Sequence, residues 1–135
     1  MRRILVVANQ TLAGQHLAHE IRDRMAAGAC AFHLVVPATP PGRLATWTEG
    51  ETLGIAGHRL HEALTRLKEL GAEATGEVGD PNPMDAIDDA MRDGSFDEII
   101  LSTLPAGISR WLKQDLPHRV QHRYAVPVTH VVGTD

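Results

Sequence analysis

The sequence has 135 residues, of which 43% are hydrophobic and 22% charged, and its net charge is −4 when the histidines are neutral. This length and composition predict one compact domain over residues 1–135. The acidic balance argues against a nucleic-acid partner, because no dominant basic patch is available to displace phosphate counterions. The single cysteine, Cys30, excludes an internal disulfide and cysteine-based metal sites. No apolar run is long enough to cross a membrane, so we expect a cytoplasmic protein with no membrane contact.

Short apolar runs alternate with longer amphipathic segments along the chain. The pattern predicts five strands, at 4–8, 31–36, 72–78, 96–101 and 126–132, of which the third is weak and expected at an edge of the sheet. Between the first three strands it predicts a helix with the apolar stripe Leu17, Ile21 and Met25 and a helix at 51–70. The third helix begins at Asn82 and ends at Gly94, and the fourth carries Leu112 to Tyr124 and is interrupted near Pro117. Residues 37–50, which include Trp47, follow no period, and we expect them to form a flap or an interaction loop.

This strict alternation predicts an α/β fold with one parallel sheet and helices on both faces. In such sheets, ligands bind outside the carboxyl ends of the strands, where the strand order reverses. The candidate site therefore lies in the loops after the first and fourth strands, residues 9–11 and 102–110.

The common catalytic and nucleotide-binding motifs are absent. The first strand ends without the carboxylates that a Mg²⁺-binding receiver domain needs, and no GxGxxG, GxxxxGK[ST] or GxSxG motif occurs. Pairs of histidines at helical spacing, such as His58 and His61, lack a third ligand, so we interpret them as solvated helix faces rather than a metal site. These absences predict that the protein is not an enzyme.

Several short segments follow one another in a characteristic order: residues 4–8, Gly79-Asp80-Pro81, residues 97–101, Ser109-Arg110, Arg119-Val120, and Pro127-Val128 leading to Val131-Val132. In their order and spacing these segments resemble the universal stress protein family. The resemblance implies a five-stranded, Rossmann-like fold of the adenine nucleotide alpha-hydrolase type with strand order 3-2-1-4-5. It also implies a homodimer formed through the last strand, Val126 to Val132.

The glycine-rich phosphate loop of the nucleotide-binding members is altered in this chain. Gln114-Asp115 stands where those members have a Gly-Ser pair, and Asn9 stands where they usually offer an aspartate to the nucleoside. The Asp115 carboxylate repels a polyphosphate, and we expect it to cap the amino end of the last helix. The resemblance therefore implies a non-enzymatic stress-response module for regulation or interaction, with weak or no ATP binding and no other cofactor.

The alternative is a nucleotide-binding member that uses hydroxyl groups and one cation in place of glycines. Its ligand pocket has seven candidate residues: Asn9, Val36, Ser102, Thr103, Gly107, Ser109 and Arg110. Val36 would lie beside the base. Against this, Ser109 has a simpler interpretation as the cap of a short turn, and Arg110 as a solvated side chain.

Overall fold

The computed structural model describes residues 1–39, 48–105 and 109–133. Its elements are β1 (Arg2–Val7), α1 (Gln15–Ala27), β2 (Cys30–Pro37), α2 (Glu49–Glu69), β3 (Glu73–Gly79), α3 (Pro83–Asp93), β4 (Glu98–Thr103), α4 (Arg110–Lys113), α5 (Leu116–Arg123) and β5 (Val128–Val132). All five strands are parallel, in the order β3-β2-β1-β4-β5. The predicted fold class and strand order are confirmed.

Two apolar layers cover the sheet, one on each face. Successive strand residues point to opposite faces, so Ile4 and Val6 join the layer beneath α1 and α2, whereas Leu5 and Val7 join the layer beneath α3 and α5. The central strands β1 and β4 therefore each carry an uninterrupted apolar run, residues 4–7 and 99–101. The edge strand β3 carries polar side chains, as its weak apolar pattern predicted.

The helix ends follow the chemistry of their terminal residues. The Asn82 side chain accepts hydrogen bonds from the amides of Met84 and Asp85, as predicted, and so begins α3. At the end of α2, Gly71 adopts a φ of +85°, which allows the Gly71 amide to donate to Lys68 O and the Ala72 amide to donate to Leu67 O. This pair of bonds forms a Schellman motif.

The prediction of one interrupted helix after β4 is wrong in its details. The chain forms two helices, α4 and α5, and the break lies at Gln114 and Asp115 rather than at Pro117. Pro117 instead occupies the first turn of α5, where its missing N–H costs nothing. Within the described residues, no helix has the length and apolar character needed to cross a membrane.

Candidate functional site

Asn9 follows β1 at the carboxyl edge of the sheet and is buried. Its Nδ2 donates to the carbonyl oxygen of Pro37 at 2.7 Å and to that of Thr39 at 3.4 Å. Its Oδ1 accepts a hydrogen bond from Nη1 of Arg59. Both amide hydrogens and the amide oxygen are thus used to join the ends of β1 and β2 to α2.

Arg59 was not among the residues predicted from the sequence. It is half-buried on α2, and this burial lowers the pKa of its guanidinium below the ordinary value. A signal for it exists in the sequence, since Arg59 lies three residues after Ala56 and four before Ala63, both of which face the core. A cation at that spacing is placed beside the buried stripe, where it reaches the end of β1.

Ser102 and Thr103 end β4 but do not act together. Because adjacent strand residues point to opposite faces, their hydroxyls bind different partners. Ser102 Oγ lies 2.5 Å from Thr11 Oγ1. Thr103 Oγ1 donates to Leu104 O at 3.0 Å and lies 2.8 Å from Nε2 of His130, whose pKa is lowered by burial.

Ser109 begins α4, since its buried Oγ accepts a hydrogen bond from the Leu112 amide at 3.2 Å. Arg110, the next residue, is exposed. Trp111 packs into the layer beneath α5, and its Nε1 donates to Thr39 Oγ1 at 3.4 Å. Gly107 and Trp47, also singled out in the sequence, lie outside the described residues, as does most of the predicted loop at 37–50.

The side chain of Val36, predicted to lie beside a nucleotide base, is completely buried in the core layer beneath α1 and α2. It pairs in register with Val78 of β3. In this position Val36 contributes to sheet packing and offers no exposed surface to a ligand.

The predicted cap at Asp115 is wrong. Asp115 precedes α5, but its side chain makes no capping hydrogen bond. A capping residue normally has extended backbone angles that aim its side-chain oxygen at the helix amides. Asp115 instead has φ 57° and ψ 36°, in the left-handed region, and its exposed carboxylate does not reach the amides of α5.

The polar groups at this edge of the sheet are satisfied within the protein. Among the described residues, no buried side-chain nitrogen or oxygen lacks a hydrogen-bond partner. In the same part of the chain, no group of three or more His, Cys, Asp or Glu side chains is placed to hold a metal ion. The edge is therefore arranged to join strands and helices to one another, and a ligand that used these groups would have to displace existing bonds.

Two solved structures of universal stress proteins are similar to this chain over nearly its whole length. The chain is similar to a universal stress protein from Archaeoglobus fulgidus, with a TM-score of 0.63 and 18% identity over 97% of this chain and 93% of that one. It is also similar to a protein of the universal stress protein family from Burkholderia pseudomallei, with a TM-score of 0.55 and 13% identity over 95% of this chain and 93% of that one.

A third similar structure is that of an enzyme. It is a 4-carboxy-2-hydroxymuconate hydratase from Pseudomonas putida KT2440, with a TM-score of 0.51 and 19% identity over 90% of this chain and 56% of that one. No family model matches the sequence, and no curated protein matches it. The comparisons confirm the resemblance at the level of the fold: the chain has the fold of universal stress proteins.

Proposed function

We propose that this chain is a divergent universal stress protein that acts as a cytoplasmic, non-enzymatic module for regulation or interaction and binds ATP weakly or not at all. The fold and its similarity to two universal stress proteins support the family assignment. The Asp115 cap, which was to exclude a polyphosphate, is absent. The proposal of weak or absent ATP binding therefore depends instead on Asn9, the residue that follows the end of β1.

The observation that carries the proposal is the saturation of Asn9. Its amide bonds to two carbonyl oxygens and to the Arg59 guanidinium. A nucleoside that bound at the end of β1 would have to break these buried bonds, and each buried group left unpaired costs about 1–3 kcal/mol. An aspartate at this position, by contrast, has no N–H to donate to Pro37 and Thr39.

Equilibrium dialysis of the purified protein with ATP and Mg²⁺ tests the proposal. We expect no binding at micromolar ATP, and the same result for ADP, AMP and adenosine. Micromolar binding of ATP that is weakened by Arg110→Ala would contradict the proposal and favour the alternative, in which Ser102, Thr103, Ser109 and Arg110 hold a nucleotide. Micromolar binding that Arg110→Ala leaves unchanged would contradict both.

We also propose that two copies pair through β5. This strand lies at one edge of the sheet. Ile99 N–H donates to Pro127 O at 2.9 Å and Gly133 N–H donates to Thr103 O at 2.8 Å, so the odd-numbered residues of this segment bond to β4. The backbone groups of Val128, His130 and Val132 consequently point away from β4, where a second strand can pair with them.

Sedimentation velocity tests this pairing with two matched substitutions. Val132 on β5 and Leu53 on α2 are similarly exposed, at 43% and 46%. We expect the parent protein and Leu53→Lys to sediment as dimers, and Val132→Lys to sediment as a monomer because it places a charge at the pairing edge. A monomeric parent, or a dimer unaffected by Val132→Lys, would show that β5 is not the interface.

A further inference from the structure

The segment from α4 to the end of α5 is basic in an acidic protein. Residues 109–123 contain four of the 13 basic residues and one of the 17 acidic residues, a net charge of +3 in a chain whose total is −4. Two histidines, His118 and His122, lie in the same segment, with ring centroids 4.2 Å apart. Positive charge is therefore concentrated on these two short helices.

Two of these cations have no partner within the described part of the chain. Lys113 and Arg119 are exposed and form no ion pair or side-chain hydrogen bond there. Arg123, in contrast, donates to Asp88 Oδ2 on α3 at 2.7 Å, and Tyr124 also donates to the Asp88 carboxylate. We call Lys113, His118, Arg119 and His122 the basic face.

We propose that the basic face binds an acidic segment of a partner protein. An acidic peptide complements the two unpaired cations, and the two histidines add donors for carboxylate oxygens. This inference rests on the proposed role as an interaction module, and it names the chemistry of the partner.

The structure favours an acidic protein segment over a membrane surface. Among the described residues, the exposed large hydrophobic side chains are Met1, Leu53, Leu70 and Val132, and none of them lies on α4 or α5. A helix that inserts into a membrane interface needs such side chains beside its cations. The basic face lacks them.

The surroundings of the basic face also disfavour a nucleic acid. The eight residues of α5 extend over only about 12 Å. The neighbouring helix α3 carries four carboxylates: Asp85, Asp88, Asp89 and Asp93. An extended polyphosphate passing beyond α5 would approach these like charges, whereas a short acidic peptide fits within the basic face.

Fluorescence anisotropy with a labelled four-residue glutamate peptide, which extends over about 13 Å and so matches the length of α5, tests the proposal at low ionic strength. We expect the parent protein to bind the peptide, and the double variant Lys113→Glu and Arg119→Glu to bind it about tenfold or more weakly, because two attractive charges become repulsive. The control is Arg22→Glu with Lys68→Glu, which changes the same residue types at exposed positions of α1 and α2. This control is expected to keep binding within about twofold of the parent.

Several outcomes would overturn the proposal. These are absence of binding by the parent, an equal loss in both double variants, or tighter binding of an oligothymidylate of equal charge or of phosphatidylserine vesicles than of the peptide. Circular dichroism of each variant confirms folding, and Lys113→Gln with Arg119→Gln replaces the first pair if that pair is unfolded. ATP binding is measured separately, so a failure of the nucleotide proposal is distinguishable from a failure of this one.

Discussion

Asp115 shows how one residue's backbone conformation determines what its side chain can do. Among the described residues, it is the single residue other than glycine with a positive φ. Aspartate tolerates this left-handed conformation better than most residues, since its short polar side chain can interact with the local backbone. The residue therefore serves the turn between α4 and α5 rather than the amides of α5.

Substitution of Asp115 distinguishes a turn residue from a cap. Threonine caps helices well but is strained in the left-handed region, so we expect Asp115→Thr to lower the free energy of unfolding by about 1–2 kcal/mol. Asp115→Gly is expected to leave it unchanged or raise it, because glycine adopts this conformation freely. Urea denaturation measures both.

The control is Asn82→Thr, at a position where the side chain does cap a helix. This change is expected to cost less than about 0.5 kcal/mol, because threonine is also an acceptable cap. If Asp115→Thr were as mild as Asn82→Thr, the left-handed conformation of Asp115 would be wrong.

The packing of α3 on the sheet depends on a glycine at the end of β3. A Cβ atom added to Gly79 would lie 2.8 Å from Ala86 Cβ on α3 and 3.0 Å from Val35 Cγ1 on β2. Both neighbouring residues are buried in the layer beneath α3, so neither side can move away freely. The absence of a side chain at Gly79 allows α3 to approach the sheet closely.

We expect Gly79→Ala to lower the free energy of unfolding by about 1–3 kcal/mol, as overpacking of a core contact does. Gly57→Ala is the matched control, because a Cβ at this position in α2 meets no atom within 4 Å. That change is expected to raise stability by about 0.5–1 kcal/mol, since alanine is the better helix former. Thermal and urea unfolding of the two variants should therefore shift in opposite directions.

Across the whole molecule, a charged network joins the first strand and helix to the last two strands. The buried Glu98 carboxylate on β4 accepts hydrogen bonds from Arg2 at 3.0 Å, from Arg24 at 2.6 Å and from Thr129 at 3.2 Å. Burial acts to raise the pKa of Glu98, but the hydrogen bonds and charge of Arg24, with help from Thr129 and Arg2, outweigh it and hold the pKa below its ordinary value.

This network makes stability depend on pH in a defined direction. The pKa of the Glu98 carboxyl is lower in the folded state than its ordinary value of 4.5. The ionised carboxylate therefore stabilises the fold at pH values above 4.5, and this stabilisation is lost as the pH falls through the lowered pKa. We expect Glu98→Gln to cost about 2 kcal/mol at pH 7, because Arg24 keeps Glu20 but loses the buried one of its two charged partners. The difference between the variant and the parent should shrink as the pH falls below 4.5.

Urea denaturation at pH 7, 5, 4 and 3 measures this dependence. Glu73→Gln is the control, since Glu73 is exposed on β3 and forms no ion pair in the described part of the chain. It should follow the parent at every pH. A constant difference between Glu98→Gln and the parent from pH 7 to pH 3 would show that the charge of Glu98 does not stabilise the fold.

The architecture can be predicted from the amino-acid sequence, because local rules specify its helices and strands. The apolar runs of β1 and β4, the spacing of Leu17 and Ile21 in α1 and the cap at Asn82 each depend on residues close together in the chain. Together they fix a right-handed parallel β-α sequence, and its strand order agrees with the resemblance.

The roles of the candidate site residues, in contrast, depend on contacts that form when the chain folds. The Asn9 amide meets Arg59 fifty positions later, Thr11 meets Ser102, and Thr103 meets His130. Hydrogen bonds between residues so far apart depend on how α2 packs on the sheet and on how β4 pairs with β1 and β5, and a local pattern does not by itself specify these contacts. Asp115 shows that a local pattern can also mislead. Aspartate is a common capping residue and stands at the correct position, but the turn before α5 places its backbone in the left-handed region and its side chain does not cap the helix.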